Sequence, residues 1–401
     1  MEEVMKEPFI HPLYIIEKLE TAGYEAYFVG GAVRDLILNR TIGDIDIATS
    51  ARPEQVMELF PKTIHVGIEH GTVVVVHENE TYEVTTFRSE GEYDDFRRPS
   101  SVTFISSLIE DLQRRDFTIN AMAMNAKGEI IDPFNGREDL RNQLIRTVGN
   151  AKERFHEDAL RMMRAVRFVS QLAFSLSDQT KRAIQQYGEL LRHVSIERIT
   201  VEFEKMLSGK RPSLALALVA DTELYRYLPQ LNVDPQKFRS VCAHDWMMLQ
   251  RVSESWTLLV HLLDIQDKQA FFKSWKLSNK QIKDIQLQSI GLRDVLENGW
   301  SKRIMYTIGE QASVSVNRIL QLLRSNEYMN EHELLYIYSE LPIHSLKDLD
   351  INGQDLLVWT GKKGGPWVSQ LLKEIEEKVL YNELMNTKSS IRKWVQSCSQ
   401  I

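Results

Sequence analysis

Apolar residues in the first 145 or so positions come in short β-branched or aromatic runs: EAYFVGGAV, DIDIAT, GTVVVVHE and TYEVTTFR. Gly, Asn and Glu-Asn turns bound them, and the pattern predicts strands. Between them VRDLILN, which follows two glycines, and PEQVMELF, which opens on Pro53, predict short helices. SEGEYDDFRRPSS is polar and aperiodic and predicts a mobile loop. Beyond IDPFNGREDLRNQLIRTVGN the period changes. ERFHEDALRMMRAVRFVSQLAF spaces Leu160, Met163, Val166, Phe168 and Val169 at near-helical intervals, and helical patterns recur from there to the C-terminus. Among them are DQTKRAIQQYGELLRHV, SIERITVEFEKMLS, PSLALALVADTELYRYL, SESWTLLVHLLDI, PWVSQLLKEIEEKVLYNELMN and SSIRKWVQS. The fold class expected is α+β, a small mixed-sheet head followed by a long helical remainder.

Composition narrows this picture. At 401 residues the chain exceeds one ordinary core, so two to four domains are expected. With 43% apolar and 26% charged residues it has the profile of a soluble globular protein. No run approaches the roughly 20 apolar residues of a membrane helix. The acidic start MEEVMKEPF lacks a signal-peptide pattern, and the expected location is the cytoplasm. Two cysteines far apart, Cys242 and Cys398, offer neither a zinc cluster nor a disulfide framework. The net charge of -7 disfavours a polyanionic partner only on average. Positions 150–212 carry 12 Lys and Arg against 8 Asp and Glu, a local excess of positive charge that suits either a solvated face or local phosphate binding.

Four stretches carry candidate chemistry. In FVGGAVRDLIL, Gly30 and Gly31 stand between a strand and a helix, where a bare backbone admits a phosphate, although a plain turn reads the same. In IGDIDIATS, Asp44 and Asp46 are two apart, so on a strand both point to one face. Paired carboxylates suit a divalent cation such as Mg²⁺ or Mn²⁺, and Glu83 in TYEVTTFR would add a third oxygen; a strand end in solvent is the plain alternative. RRDFTINAMAMN, before an apolar helix-like run, offers Arg115 and Asp116 for a nucleotide's sugar and triphosphate. Alternatively, Asp116 would cap a helix and Asn120 would be a core polar group.

EDALR is the most informative stretch. On a helix Asp158 and Arg161 share a face, with Glu157 one turn from Arg161. An ordinary surface ion pair would look the same. Cytosine and adenine, however, both present an amino donor beside a ring-nitrogen acceptor. An aspartate accepting from the first and an arginine donating to the second admit C and A. Uracil and guanine present the inverse pattern and leave polar groups unpaired.

Together these motifs resemble the class II tRNA nucleotidyltransferases, the bacterial CCA-adding enzymes of the polymerase-β-like superfamily. The resemblance maps the family's glycine turn onto Gly30-Gly31 with Val33, Arg34 and Asp35, and its metal-binding Asp-x-Asp onto Asp44 and Asp46. Its Arg-Arg-Asp becomes Arg114 to Asp116, continuing to Thr118 and Asn120. Its templating Glu-Asp-x-x-Arg becomes Glu157, Asp158 and Arg161, followed by Arg164 and Arg167. Glu197 and Arg198 look like its helix-stabilising motif. The resemblance is specific through about Leu207, weakens across 213–348, and returns in LDINGQDLL and GGPWVSQLLKEIEEKV.

The resemblance implies a catalytic head at 1–148, a base-recognising neck at 149–208, a body at 209–310 and a tRNA-binding tail at 311–401. It also implies Mg²⁺-dependent addition of C, C and A to the 3′ end of tRNA from CTP and ATP, with base choice made by side chains. The partners implied are tRNA and the two nucleotides, with no membrane; a homodimer is admitted. The GEYDDFRRP loop matches a segment that helps switch from C to A, with Asp94, Asp95 and Arg97 as candidates. Gly364 and Gly365 before Pro366 would meet a phosphate or, more simply, open a helix. The alternatives are bacterial poly(A) polymerase, a CC-adding or A-adding specialist, and, from another class, a degenerate RNA-binding module. His244-Asp245 in AHDW lacks the further ligands of a metal phosphohydrolase.

Overall fold

The computed structural model describes residues 7–65, 71–90 and 102–398. The chain forms two compact units: residues 1–242 with 274–276, and residues 243–273 with 277–401.

The first unit is built on a seven-stranded sheet whose strands lie, edge to edge, in the order Thr63–Ile64, Thr72–His77, Glu80–Thr86, Asp46–Thr49, Ala26–Val29, Ala123–Met124 and Ile130–Ile131. Its strands are β1 (Ala26–Val29), β2 (Asp46–Thr49), β3 (Thr63–Ile64), β4 (Thr72–His77), β5 (Glu80–Thr86), β8 (Ala123–Met124) and β9 (Ile130–Ile131). A separate hairpin pairs β6 (Arg88–Glu90) with β7 (Val102–Phe104). The sheet is mixed because β2 and β5 run parallel while the other pairs are antiparallel. Alternation sorts its faces. Phe28 and Ile47 are fully buried, as are Ile15, Ile16 and Leu19 of α1 (Ile10–Thr21), and Phe28 meets Phe9 edge-on at 4.9 Å. Val29 and Ala48, on the opposite face, join Leu108 and Leu112 of α4 (Leu108–Gln113) in a core with Phe87, Ala121 and Ala123. Two short helices complete this region before α4, α2 (Gly31–Ile37) and α3 (Pro53–Leu59), and α5 (Gly136–Arg141) follows.

Helices α6 (Ala151–Glu157), α7 (Leu160–Leu172), α8 (Asp178–Tyr187), α9 (Ile196–Leu207), α10 (Pro212–Asp221) and α11 (Pro235–Val241) complete the unit. One two-stranded parallel pair joins β10 (Leu144–Ile145), within the expected head, to β11 (Ser175–Leu176), within the stretch expected to be helical. α7 packs against both α9 and α10, and eleven of its thirteen residues are buried.

The second unit is helical: α12 (Val252–Leu262), α13 (Lys268–Ser274), α14 (Asn279–Asn298), α15 (Lys302–Leu322), α16 (Glu331–Ser339), α17 (Gly353–Thr360), α18 (Pro366–Leu380) and α19 (Lys388–Cys398). A buried carboxylate, Glu254 in α12, accepts from Ser315 Oγ at 2.8 Å and Arg318 Nη1 at 3.1 Å, which ties α12 to α15. Pro366 stands in the first turn of α18, where its missing N–H costs no helical bond. Asp245 caps the single turn at Trp246–Met248. No described helix is long and apolar enough to cross a membrane.

Four local expectations need correction. Strand β2 begins at Asp46, so Asp44 lies in the preceding coil and the two carboxylates do not share a strand face. ERFHEDALRMMRAVRF is two helices, because Asp158 takes an extended conformation (φ -138°, ψ 103°) and its Oδ1 accepts from Leu160 N at 3.1 Å. That bond satisfies an orphan N–H at the start of α7 and makes a break preferable to continuous helix. RRDFTIN ends in a single 3-10 turn, Thr118–Asn120, and the apolar run after it forms strand β8 rather than a helix. Ser89 and Glu90 of the expected loop belong to β6, and Asp94, Asp95 and Arg97 lie outside the described residues.

Candidate active site

A cleft of about 890 Å³ opens in the first unit, and most of the candidate residues converge on it. Each element supplies its share. The β1–α2 turn brings Gly30, Gly31, Arg34 and Asp35; the approach to β2 brings Asp44 and Asp46; the end of α4 brings Arg114, Arg115 and Asp116. From α7 come Arg161, Arg164, Arg167 and Phe168, spaced three to four residues apart as one helix face requires. Arg198 and Lys205 project from α9. Nine cationic side chains and five carboxylates line the cleft, so it is positive within an acidic chain and attracts anions.

The glycine turn is shaped by its neighbours. Gly30 has φ 71°, and a Cβ there would lie 3.0 Å from Arg115 Nη1. Glycine alone meets both demands without strain.

Asp116 anchors a polar network across the cleft floor. It is 7% exposed, and its Oδ1 accepts from Phe117 N at 2.8 Å and Asn120 Nδ2 at 3.1 Å. Its Oδ2 accepts from Arg164 Nε at 2.7 Å. Asn120 Oδ1 in turn accepts from Arg34 Nη1 at 2.7 Å, and the other edge of that guanidinium grips Asp35 at 3.0 and 2.8 Å. Burial favours the neutral acid, but the Arg164 charge and the Asn120 and Arg164 hydrogen bonds outweigh it and bring Asp116 down to about 2.

The ring of Phe168 is a shared platform. The guanidinium carbons of Arg167, Arg34 and Arg164 lie 4.3, 5.2 and 5.8 Å from its centroid. Arg167 Nη1 also reaches Glu202 Oε2 at 2.9 Å.

Within EDALR, Glu157 pairs with Arg161 at the spacing of four that a helix gives, whereas Asp158 turns to another helix. Asp158 Oδ2 accepts from Arg198 Nη2 at 2.7 Å, across from α9. Arg161, 7% exposed, pairs with Glu157 and donates to Arg154 O at 3.2 Å and Arg114 O at 2.9 Å. Cations thus meet backbone carbonyls at the C-terminal end of α4, where the helix dipole favours them.

The acidic corner differs. Asp46 stands opposite Glu83 in the parallel β2·β5 register. Burial and then the Glu83 charge push Asp46 up to about 6; Arg115 pulls it back and Asp44 adds to the rise. This group is short of positive charge, which suits a hard cation. Glu83 is exposed and does not line the cleft, and no three His, Cys, Asp or Glu groups among the described residues form a metal-binding set by themselves.

Several lining or supporting residues were absent from the sequence-based set. Asp111, 1% exposed, accepts from Arg114 Nε at 3.0 Å and Nη2 at 2.7 Å and from Arg115 Nη2 at 3.4 Å. Its spacing of three and four from those arginines was the available signal. Phe168 stands four residues beyond Arg164, and Glu202 four beyond Arg198, with Lys205 three further on.

Comparison with known proteins identifies the family. Residues 26–146 match the poly A polymerase head domain, 173–234 a probable RNA- and SrmB-binding site of polymerase A, and 247–395 a putative tRNA nucleotidyltransferase domain 2. The chain is 49% identical over 394 residues to a CCA-adding enzyme of Geobacillus sp. (strain WCH70), covering 98% of this chain and 97% of that one. It is 51% identical over 393 residues to the CCA-adding enzyme of Geobacillus kaustophilus, with the same coverage. The structure of the Bacillus stearothermophilus CCA-adding enzyme in complex with CTP superposes with a TM-score of 0.93 at 46% identity, covering 99% of this chain and 98% of that one. A Thermotoga maritima CCA-adding enzyme complexed with tRNA shares the fold at 22% identity and a TM-score of 0.68, with 99% and 97% covered. The chain belongs to the CCA-adding enzymes and is a tRNA nucleotidyltransferase.

Proposed function

We propose that the cleft adds C, C and A in turn to the 3′ end of tRNA, using CTP and ATP and choosing the base with its own side chains. The observation that carries this reading is the convergence, in one positive cleft, of an acidic corner, a set of arginines and the Asp158–Arg161 pair. The CTP and tRNA complexes of the related enzymes support it.

Asp44 and Asp46 would hold Mg²⁺, with Glu83 reinforcing the negative charge there. Two carboxylates suffice for this ion, because it commonly completes its shell with water and substrate phosphates. When bound, the ion supplies Lewis acidity for activating a ribose hydroxyl and for neutralising a pyrophosphate leaving group. The protein's remaining task is positioning. Gly30 and Gly31 let the backbone approach the nucleotide, while Arg34 and Arg115 face its phosphates. Asp116 and Asn120 fix the arginines and stand where a ribose would be gripped. Asp158, whose carboxylate has room for about four hydrogen bonds, keeps capacity for a base amino group beyond Leu160 N and Arg198. Arg161 supplies the complementary donor, and Arg164 and Arg167 hold the floor beneath it.

The test uses purified protein, Mg²⁺ and tRNA ending just before CCA, with CTP, ATP or both, and products sized on a sequencing gel. Two residues with CTP, and one more when ATP is present, are expected. Asp44→Ala should abolish extension while tRNA affinity stays within about threefold. A long ladder with ATP alone, or a stop after two residues with both nucleotides, contradicts CCA addition.

A further inference from the structure

The second unit carries a pocket that the reaction above does not use. It lies between α12 and α14, has a volume of about 350 Å³, and falls within the size range of small-ligand sites. Leu292 and Leu296 give it an apolar wall, and Leu296 is 39% exposed despite its size. Two hydroxyls line it. Thr257 Oγ1 is satisfied by Ser253 O at 2.8 Å and Gln288 Oε1 at 2.9 Å. Ser289 Oγ is buried with no hydrogen-bond partner among the described residues, in a residue only 8% exposed. A buried hydroxyl left unpaired costs free energy, and a bound polar group would recover it.

The rim adds two cations. Lys268 and Arg293 border the pocket, and among the described residues neither side chain makes an ion pair or hydrogen bond. Burial lowers the Lys268 ammonium from its usual range, and the nearby Arg293 charge lowers it further against a weaker opposing pull from Asp264. The two cations thus sit side by side with no direct ion pair among the described residues, an arrangement suited to an anion between them. The carboxylates Asp264 and Glu297 also border the pocket, and Asp264 Oδ1 is engaged by Gln266 Nε2 at 2.8 Å. Carboxylates accept from sugar hydroxyls, so the lining pairs an anion position with hydroxyl acceptors and an apolar wall.

We propose that this pocket is a second ligand site, separate from the catalytic cleft, that takes a phosphate ester with a sugar and a planar body: one nucleotide unit. The phosphate lies between Lys268 and Arg293, and Ser289 donates to or accepts from the ligand deeper in the pocket. The unit comes either from a free nucleoside monophosphate or from a nucleotide within bound RNA.

The full-length chain and its Lys268→Ala/Arg293→Ala variant are titrated by calorimetry with AMP. Each is then titrated with tRNA ending before CCA at several salt concentrations. Both proteins retain the same catalytic cleft, so the difference reports the pocket. Loss of one AMP-binding event in the variant supports the proposal with a free nucleotide as ligand. At least about tenfold weaker tRNA binding, with a salt slope shallower by about 1 for each lost contact, supports it with RNA as the source. Unchanged AMP binding, tRNA affinity and slope overturn it. Ser289→Ala, which leaves every charge in place, is expected to weaken the same binding by about two- to tenfold. No effect of Ser289→Ala beside a strong effect of the double variant places the binding on exposed charge and overturns the pocket.

Discussion

At the residue scale, the cleft rests on carboxylates whose charge is fixed by arginines. Asp116 is the clearest case. Its carboxyl is held at about 2 against an ordinary 3.8, a difference worth roughly 2 kcal/mol at neutral pH. Because the folded value is the lower one, the stabilisation is present above about pH 4 and is lost as pH falls from there toward 2. Asp116→Asn should therefore lower unfolding free energy by about 2 kcal/mol at pH 7 and flatten the acid limb of a stability–pH curve. An unaltered acid limb contradicts the assignment. Asp111 acts one step further from the ligand. Burial opposes its ionisation, but Arg114 and Arg115 hold it below the usual carboxylate range. The carboxylate sets the orientation of both guanidinium groups, so Asp111→Asn should raise KM for CTP and ATP by about tenfold, the equivalent of one charge-assisted hydrogen bond. Affinity for tRNA, measured by filter binding, should change less than twofold. Equal losses of both would mean a general structural defect.

At the element scale, short turns rather than long helices aim the site. The 3-10 turn Thr118–Asn120 carries Asn120 and packs against the start of α5. A Cβ on Gly136 would lie 2.3 Å from the backbone oxygen of Thr118, which cannot swing aside as a side chain would. Gly136→Ala should cost about 1–3 kcal/mol in chemical denaturation and weaken nucleotide binding by displacing Asn120. A stability loss with unaltered nucleotide KM would show that the turn's position is immaterial to binding. The elements themselves were largely legible in the sequence. The runs in GTVVVVHE and TYEVTTFR became β4 and β5, and periodic apolar spacing marked α7, α9 and α12. What stayed hidden was set by side-chain contacts, local and distant, that a hydropathy pattern does not carry. The break at Asp158 depends on a local side-chain cap that competes with helix continuation, and the carboxylate's partner, Arg198, is forty residues away. Asp44 and Asp46 fit a strand pattern, yet the ladder begins only where Asp46 meets Val29 and Glu83. Phe168 read as one more apolar position of a helix; its role as a platform appears only once Arg34 is folded over it.

At the scale of the whole molecule, charge is distributed by function rather than by average. The chain carries a net -7, yet cations outnumber carboxylates in the cleft by nine to five. Of the basic residues that gave positions 150–212 their local excess, Arg161, Arg164, Arg167, Arg198 and Lys205 all reach the cleft. The alternatives to a solvated face were thus decided by packing, since α7 and α9 turn these residues toward the glycine turn and α4.

The central claim is that this cleft both performs transfer and reads the base. The most direct measurement is the ratio of kcat/KM for CTP over UTP, at fixed tRNA ending before CCA, in the wild-type protein and in Arg161→Ala. The ratio is expected to fall by at least about tenfold, a loss of about 1.4 kcal/mol of discrimination, while tRNA affinity changes far less. A variant that loses rate on CTP and UTP equally, with the ratio intact, would contradict base selection by this side chain.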